Sequence, residues 1–224
     1  MLKQLNLLNS FPKTIRDLKS RKSNQKKNKK LASLFGKEYF DGSRDQGYGG
    51  YVYDGRWVSV AKKIINTFKL KDGSKVLDIG CAKGYLIYDL YKENNKLELL
   101  GIDISKYAID NSPKEIRKFL KVKDCRDLNY KDNSIDCVIS INTLHNLNYK
   151  ECKKTISSIQ RISGGNAFIQ VDAYRNNNEY DIFVDWMLTA KTFLKPDEWL
   201  DLFKEAGYTG FYNWTILKGN GDVL

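Results

Sequence analysis

The segment Val76-Leu77-Asp78-Ile79-Gly80-Cys81-Ala82-Lys83-Gly84-Tyr85-Leu86 joins an apolar, β-branched run to an acidic residue and then to a G-x-x-x-G turn. Small residues at such a turn let a ligand come close to the backbone. The spacing is neither G-x-G-x-x-G nor G-x-x-x-x-G-K-[ST], so neither the dinucleotide fingerprint nor the phosphate-cradling loop fits. Asp103, in Gly101-Ile102-Asp103-Ile104-Ser105, ends a second apolar run 25 residues after Asp78. A carboxylate in that place can accept both hydroxyls of a ribose. Asp124, in Asp124-Cys125-Arg126-Asp127-Leu128, follows a third run and can accept from an exocyclic amino group such as that of adenine. A single acidic strand end is often only a helix cap, but three in succession along one edge are hard to explain as caps. His145 is the sole histidine and follows a fourth apolar run in Ile141-Asn142-Thr143-Leu144-His145-Asn146. An imidazole exchanges protons near neutral pH, so His145 reads either as a general base or as a packed side chain bonded to backbone.

These residues need a scaffold that brings strand ends together. Strand-like runs are expected at 75–80, 97–104, 122–124, 135–141 and 167–171, with a last one near 210–217. Helical patterns fall at 56–70, 85–93, 105–120, 149–162 and 196–206. Strands alternating with helices at this pitch predict an α/β fold, a mostly parallel sheet covered by helices on both faces. The last strand is expected to join antiparallel at one edge.

Composition divides the chain. Its 38 Lys+Arg against 27 Asp+Glu give a formal charge of +11, and residues 1–40 hold 11 of the former and 2 of the latter. The basic character therefore belongs to the N-terminal region, and the body is nearly neutral. Leu2, Leu5, Leu8, Phe11, Ile15 and Leu18 lie at helical spacing, interrupted by Pro12, so residues 1–18 read as two short helices. Residues 19–30 read as a solvated basic linker. The expected organisation is a basic helical extension over 1–30 and a globular domain over 31–224, with an aromatic, glycine-rich cap at 31–57. One histidine excludes a multi-histidine metal site, and the four cysteines contain no C-x-x-C pair. No metal is expected. Dispersed cysteines, no 18-residue apolar run and no secretory leader pattern lead us to expect a cytoplasmic protein.

Over roughly residues 56–217 the sequence resembles the class I S-adenosylmethionine-dependent methyltransferases, whose sheet is Rossmann-like. VLDIGCAKGY is similar to their glycine-rich first motif, GIDIS to their ribose-binding strand end, and DCRDLNYKDNSIDCVIS to their third and fourth strands. The resemblance implies that Gly80, Cys81, Ala82 and Gly84 line the methionine part of S-adenosyl-L-methionine, with Asp78 behind them. It implies that Asp103 takes the ribose hydroxyls, Ile104 packs on adenine, Asp124 and the Cys125 backbone meet the adenine edge, and Asn142 lies near the methionine moiety. S-adenosyl-L-homocysteine would be the product. The family's common antiparallel two-strand ending has little chain left to form it.

Methyl transfer from a sulfonium is a displacement accelerated by alignment, and a hydroxyl acceptor gains from a base, which is the role open to His145. The segment 39–57 carries five glycines and six aromatics, together with Arg44 and Arg56. It reads either as a mobile cover over the site or as a strap whose rings fill the core. As a cover it would contribute Tyr48, Tyr51 and Arg44 to the acceptor, and Arg56 to a carboxylate of cofactor or acceptor. Tyr180 and Trp186, after the fifth strand, are further acceptor-side candidates. The pattern YFDG…GYGGYxYDGRW with TAKTFLKPDEW…GYTG resembles a bacterial subgroup linked to surface-polysaccharide (capsule) biosynthesis. That implies O-methylation of a small acceptor, a sugar or a phosphate- or phosphoramidate-bearing precursor. NTLHN in place of an Asn/Asp-Pro-Pro-aromatic clamp, and a near-neutral body, argue against nucleic acid. The competing reading is an RNA methyltransferase that uses residues 1–30 as a basic arm. A third assigns that region to a membrane surface or a protein partner.

Overall fold

The computed structural model describes residues 2–12, 21–22 and 24–217. Seven strands form one sheet: β1 (Lys3–Gln4), β2 (Lys75–Ile79), β3 (Glu98–Asp103), β4 (Leu120–Val122), β5 (Cys137–Ile141), β6 (Ala167–Asp172) and β7 (Phe211–Thr215). Their spatial order is β1-β7-β6-β5-β2-β3-β4, and every pairing is parallel. The order reverses between β2 and β5, because β3 and β4 extend to one side and β6 and β7 to the other. In open α/β sheets the crevice at such a reversal, outside the carboxyl ends of the strands, is where ligands bind.

The strands are buried on both faces, as parallel strands must be. Leu77, Ile79 and Ile102 point to one face, where they meet α6 (Tyr149–Ser163) through Ile156 and Ile159, and α8 (Pro196–Glu205) through Trp199 and Phe203. Val76, Leu99 and Ile139 point to the other face, toward Ile64 of α3 (Val58–Thr67) and Leu86, Ile87 and Leu90 of α4 (Tyr85–Glu93). Local signals close the helices. Asn148 and Glu151 form a capping box at the start of α6, and Gly164 ends it in the left-handed region.

Several expectations are corrected. No antiparallel edge strand exists among the described residues. α7 (Asn177–Trp186) and α8 carry the chain back across the sheet, so β7 starts at the same end as β6 and pairs with it in parallel, Phe168 opposite Phe211. The first residues are not helical. Lys3 N–H donates to the Gly210 carbonyl and Leu5 N–H to that of Tyr212, because β7 would otherwise present unpaired carbonyls at an edge. Leu7 is fully buried and Leu5, Leu8 and Phe11 pack beside it, so the described part of the leucine stripe faces the body. Ile15 and Leu18 lie outside the described residues. Within the expected linker, Gln25–Ala32 forms a helix, α1, with Asn28 and Ala32 buried at i and i+4. It leads to a short helix, α2 (Lys37–Asp41). The helix expected over 105–120 stops after five residues, as α5 (Lys106–Asp110), because Pro113 cannot donate and restrains Ser112. The third strand accordingly begins at Leu120 and ends before Asp124. Helix α7 was not anticipated, although Asn176 caps it by accepting from the Glu179 N–H.

Candidate active site

The turn after β2 is the narrowest point. Gly80 has φ of +78°, and a Cβ placed on it would stand 2.0 Å from Thr143 Oγ1 in the loop after β5, so only glycine fits. The next residues bind the neighbouring strand end. Ala82 N–H donates to Asp103 Oδ2 at 2.8 Å, and Ser105 N–H donates to Oδ1 at 2.8 Å. Each oxygen keeps a further lone pair for a ligand. Asp78 is buried just behind. Burial and the nearby Asp103 charge push its carboxyl up to about 7.

Two adjoining cavities open over these strand ends. The larger, about 410 Å³, is lined by Asp78, Cys81, His145, Asp172 and aromatic side chains. The smaller, about 160 Å³, is lined by Asp103, Ile104, Asp124, Cys125 and Asn146. Gly80, Ala82, Asn142, Tyr39 and Tyr48 belong to both walls, so the two form one site with two lobes. Ile104 is an apolar side chain left 54% exposed, which suits a flat ring laid over it. Asn146 Oδ1 is buried and has no donor among the described residues, which leaves it free to accept a ligand's N–H. Asp124 is held below the ordinary carboxylate range by Arg126, which also bridges to Glu151. The residues expected at the ribose and adenine are therefore together in the smaller lobe, and those expected at the methionine, Gly84 excepted, line the larger.

Two expected site residues are not in either wall. Gly84 starts α4 with φ of +76°, and a Cβ there would meet Leu120 and Ile116 within 2.8 Å, so its glycine serves the packing beneath the loop. Tyr180 packs instead edge-on against Tyr174 and stacks on Phe193. Cys81 and Cys125 line the site as neutral thiols. Burial raises both, Cys125 to about 12, so neither supplies a thiolate nucleophile.

Among the described residues, three arginines reach the larger lobe. Arg56 is gripped by Asp54, with Nε 2.8 Å from both carboxylate oxygens. Arg44 Nη1 donates to the Tyr48 carbonyl at 2.6 Å. Arg21 is almost fully buried, lies 3.5 Å over the Trp186 ring, and donates to the carbonyls of Trp186, Arg44 and Gly47. Tyr48 and Tyr51 both line this lobe and their rings touch at 4.5 Å between centroids. The 39–57 segment is held down on the glycine-rich turn. Lys83 Nζ donates to both Asp41 oxygens at 2.7 Å and to the Tyr51 carbonyl at 2.8 Å.

His145 is buried in the wall of the larger lobe, but its Nδ1 accepts the Asp172 N–H at 3.1 Å. The neutral ring then carries its proton on Nε2, which lies 3.6 Å from Asp172 Oδ2. The lone pair that a free base would offer is occupied. Asp172 itself was missed, although it ends β6 as Asp78 and Asp103 end or adjoin their strands, and the same acidic strand-end signal would have found it. Arg21 carried no signal, because nothing local separates it from the basic residues around it.

These lobes fit S-adenosylmethionine on the donor set alone: a strand-end carboxylate with spare lone pairs, an exposed apolar side chain, an orphan buried acceptor and a turn kept bare by glycine. A parallel sheet with this reversal and this site defines a class I, S-adenosylmethionine-dependent methyltransferase fold. The chain belongs to the methyltransferase domain family, whose model matches residues 70–207. It is 32% identical over 101 residues to phosphoethanolamine N-methyltransferase of Triticum aestivum, covering 42% of this chain and 19% of that one. It is 30% identical over 125 residues to probable tRNA methyltransferase 9B of Mus musculus, covering 52% and 26%. The chain thus spans about a quarter or less of the length of these curated relatives. Among solved structures, phosphoethanolamine N-methyltransferase 2 of Haemonchus contortus, in complex with phosphomonomethylethanolamine and S-adenosylhomocysteine, superposes with a TM-score of 0.50 at 17% identity. That match covers 85% of this chain and 44% of that one, and it speaks for the fold. Among the described residues no helix is long and apolar enough to cross a membrane, and no group of three or more His, Cys, Asp or Glu could hold a metal ion.

Proposed function

We propose that this domain methylates an oxygen of a small acceptor enclosed in the larger lobe. The observation that carries the reading is that lobe itself, about 410 Å³ of space continuous with the cofactor-side lobe and walled by the 39–57 cap. A volume of that order suits a small molecule. The cofactor supplies a methyl group on a sulfonium, and the chain's own residues supply position and proton handling. The smaller lobe holds the nucleoside end through Asp103, Ile104 and Asp124. Gly80, Cys81, Ala82, Asn142 and Arg56 surround the methionine end, and the cap excludes water. Arg44, Tyr48, Tyr51 and Trp186 face the acceptor. A hydroxyl that attacks must lose its proton, and Asp172 is the carboxylate in this wall with a donor, His145 Nε2, beside it. We assign Asp172 as the proton acceptor and His145 as the residue that orients it.

The acceptor class we favour is a hydroxyl or phosphoryl oxygen on a sugar or surface-polysaccharide precursor, supported by the cap's sequence pattern and by the arginines of the lobe. The wheat relative's name adds a phosphorylated amine to the compounds worth trying. The test is a screen that follows S-adenosylhomocysteine release with sugars, sugar phosphates, nucleotide sugars and ethanolamine phosphate. Turnover with a sugar-type compound supports the reading, and turnover with ethanolamine phosphate alone replaces oxygen by nitrogen.

A second reading, methylation of RNA, is favoured by one observation: α1 presents Lys26, Lys27 and Lys30 to solvent, and one relative is named for tRNA. Reversing those three charges separates the two. An RNA enzyme loses affinity and its steep salt dependence, whereas a small-molecule enzyme keeps its turnover.

A further inference from the structure

A file of polar side chains runs through the sheet to the site, in a region where strands otherwise bury apolar groups. Gln170, in β6, is 5% exposed and Thr215, in β7, is 2% exposed. Gln170 Nε2 donates to Thr215 Oγ1 at 3.0 Å, and Thr215 Oγ1 donates to Asn142 Oδ1 at 2.9 Å. Behind them, Gln4 Nε2 lies 3.3 Å from Asn213 Oδ1, and Asn213 Nδ2 lies 3.5 Å from Gln170 Oε1. All four contacts have the same polarity, each donor pointing toward the site. Asn142 is also fixed by its backbone. It sits at φ of +53°, a conformation asparagine tolerates better than most residues, and its N–H donates to the Gln170 carbonyl at 2.9 Å.

A hydroxyl has one proton, and Thr215, which accepts from Gln170, donates that proton to Asn142 Oδ1. The oxygen of the Asn142 amide is therefore turned back into the protein, and its NH2 is the end left for the two lobes it borders. We propose that Gln170 and Thr215 are positioning residues that set the Asn142 amide NH2-forward, so that Asn142 donates to the carboxylate of the cofactor's methionine end. This rests on the reading that the two lobes hold that cofactor. The chemistry of that end selects the partner. Its ammonium has only donors and its sulfonium carries a positive charge, so the carboxylate is the group that accepts an N–H. An amide turned the other way would favour the ammonium instead.

The test measures binding of S-adenosylhomocysteine and of 5′-methylthioadenosine, which lacks the amino-acid end, by calorimetry on the full chain. Thr215→Val keeps shape and removes the hydroxyl. It is expected to weaken S-adenosylhomocysteine about 5- to 10-fold and to leave methylthioadenosine within about 2-fold, while Thr215→Ser restores wild-type affinity. Gln170→Met serves as a second variant and is expected to act in the same direction. In an Asn142→Ala background, Thr215→Val should add nothing. Equal weakening of both ligands, an undiminished effect of Thr215→Val in that background, or unchanged S-adenosylhomocysteine affinity would each overturn the relay while leaving the site in place. Wild-type protein that binds neither ligand would overturn the site, and the relay with it.

Discussion

Asp172 and His145 carry the chemical step as we read it, and their roles separate in kinetics. Asp172→Asn is expected to lower kcat about 100-fold or more, the scale of a lost proton acceptor, with S-adenosylhomocysteine affinity within about 2-fold of wild type. His145→Ala should cost less, about 10-fold, because it removes the donor that orients Asp172. A larger loss in His145→Ala than in Asp172→Asn would return the base to the histidine. Asp78 makes a pH prediction. Its folded value, about 7, lies above the ordinary carboxylate value of 3.8 because of burial and the Asp103 charge. The folded state thus binds the extra proton between those values. The stability this contributes is fully present below about pH 4 and is lost as pH rises through 7, up to about 4 kcal/mol. Thermal melts of wild type should fall more steeply from pH 5 to 8 than those of Asp78→Asn, and parallel curves would refute the assignment.

At the scale of elements, the cap and the glycine-rich turn behave as one unit because Lys83 joins them. Its side chain is 7% exposed and that of Asp41 is 25% exposed. Burial raises Asp41, but the bonds from Lys83 and Tyr107 outweigh it and leave the carboxyl below its ordinary range. Removing one partner of a largely buried pair strands the other. Lys83→Met is therefore expected to cost about 3 kcal/mol in chemical denaturation and to speed proteolysis within 39–57. A loss below about 0.5 kcal/mol with an unchanged cleavage pattern would show that the cap is held by its rings alone. The element pattern itself was legible where hydrophobic period and local caps agreed, as in β2, α4, β3, β5 and α6. It failed where tertiary partners decide. β1 becomes a strand only because β7 has an open edge, and α1 becomes ordered on Asn28 and Ala32 despite a sequence that reads as linker. Pro113 is a local signal that ends the helix expected over 105–120 early. Of the site, the strand-end acids and the Gly80 turn were legible because their constraints are local. The orientation of His145, the burial of Arg21 and the departure of Gly84 and Tyr180 depend on neighbours far along the chain.

For the whole molecule, the charge of +11 is a less direct guide to partners than its total implies. Part of the basic N-terminal region is built into the fold: β1 extends the sheet, Leu7 fills the core, and Arg21 closes the larger lobe. Leu7→Ala should destabilise by about 3 kcal/mol, as truncation of a buried leucine does. An effect under about 0.5 kcal/mol would mean that this region is a detachable arm. The same architecture brings the three strand-end carboxylates and Asn142 around one reversal of the sheet, and the ligand held there defines the activity. Calorimetric titration of the full chain with S-adenosylhomocysteine, wild type against Asp103→Ala, tests this most directly. We predict one binding site in the wild type and a loss of at least about 10- to 100-fold in the variant, the cost of removing hydrogen bonds to a charged group. Absent binding in the wild type, or equal binding in both proteins, would contradict it.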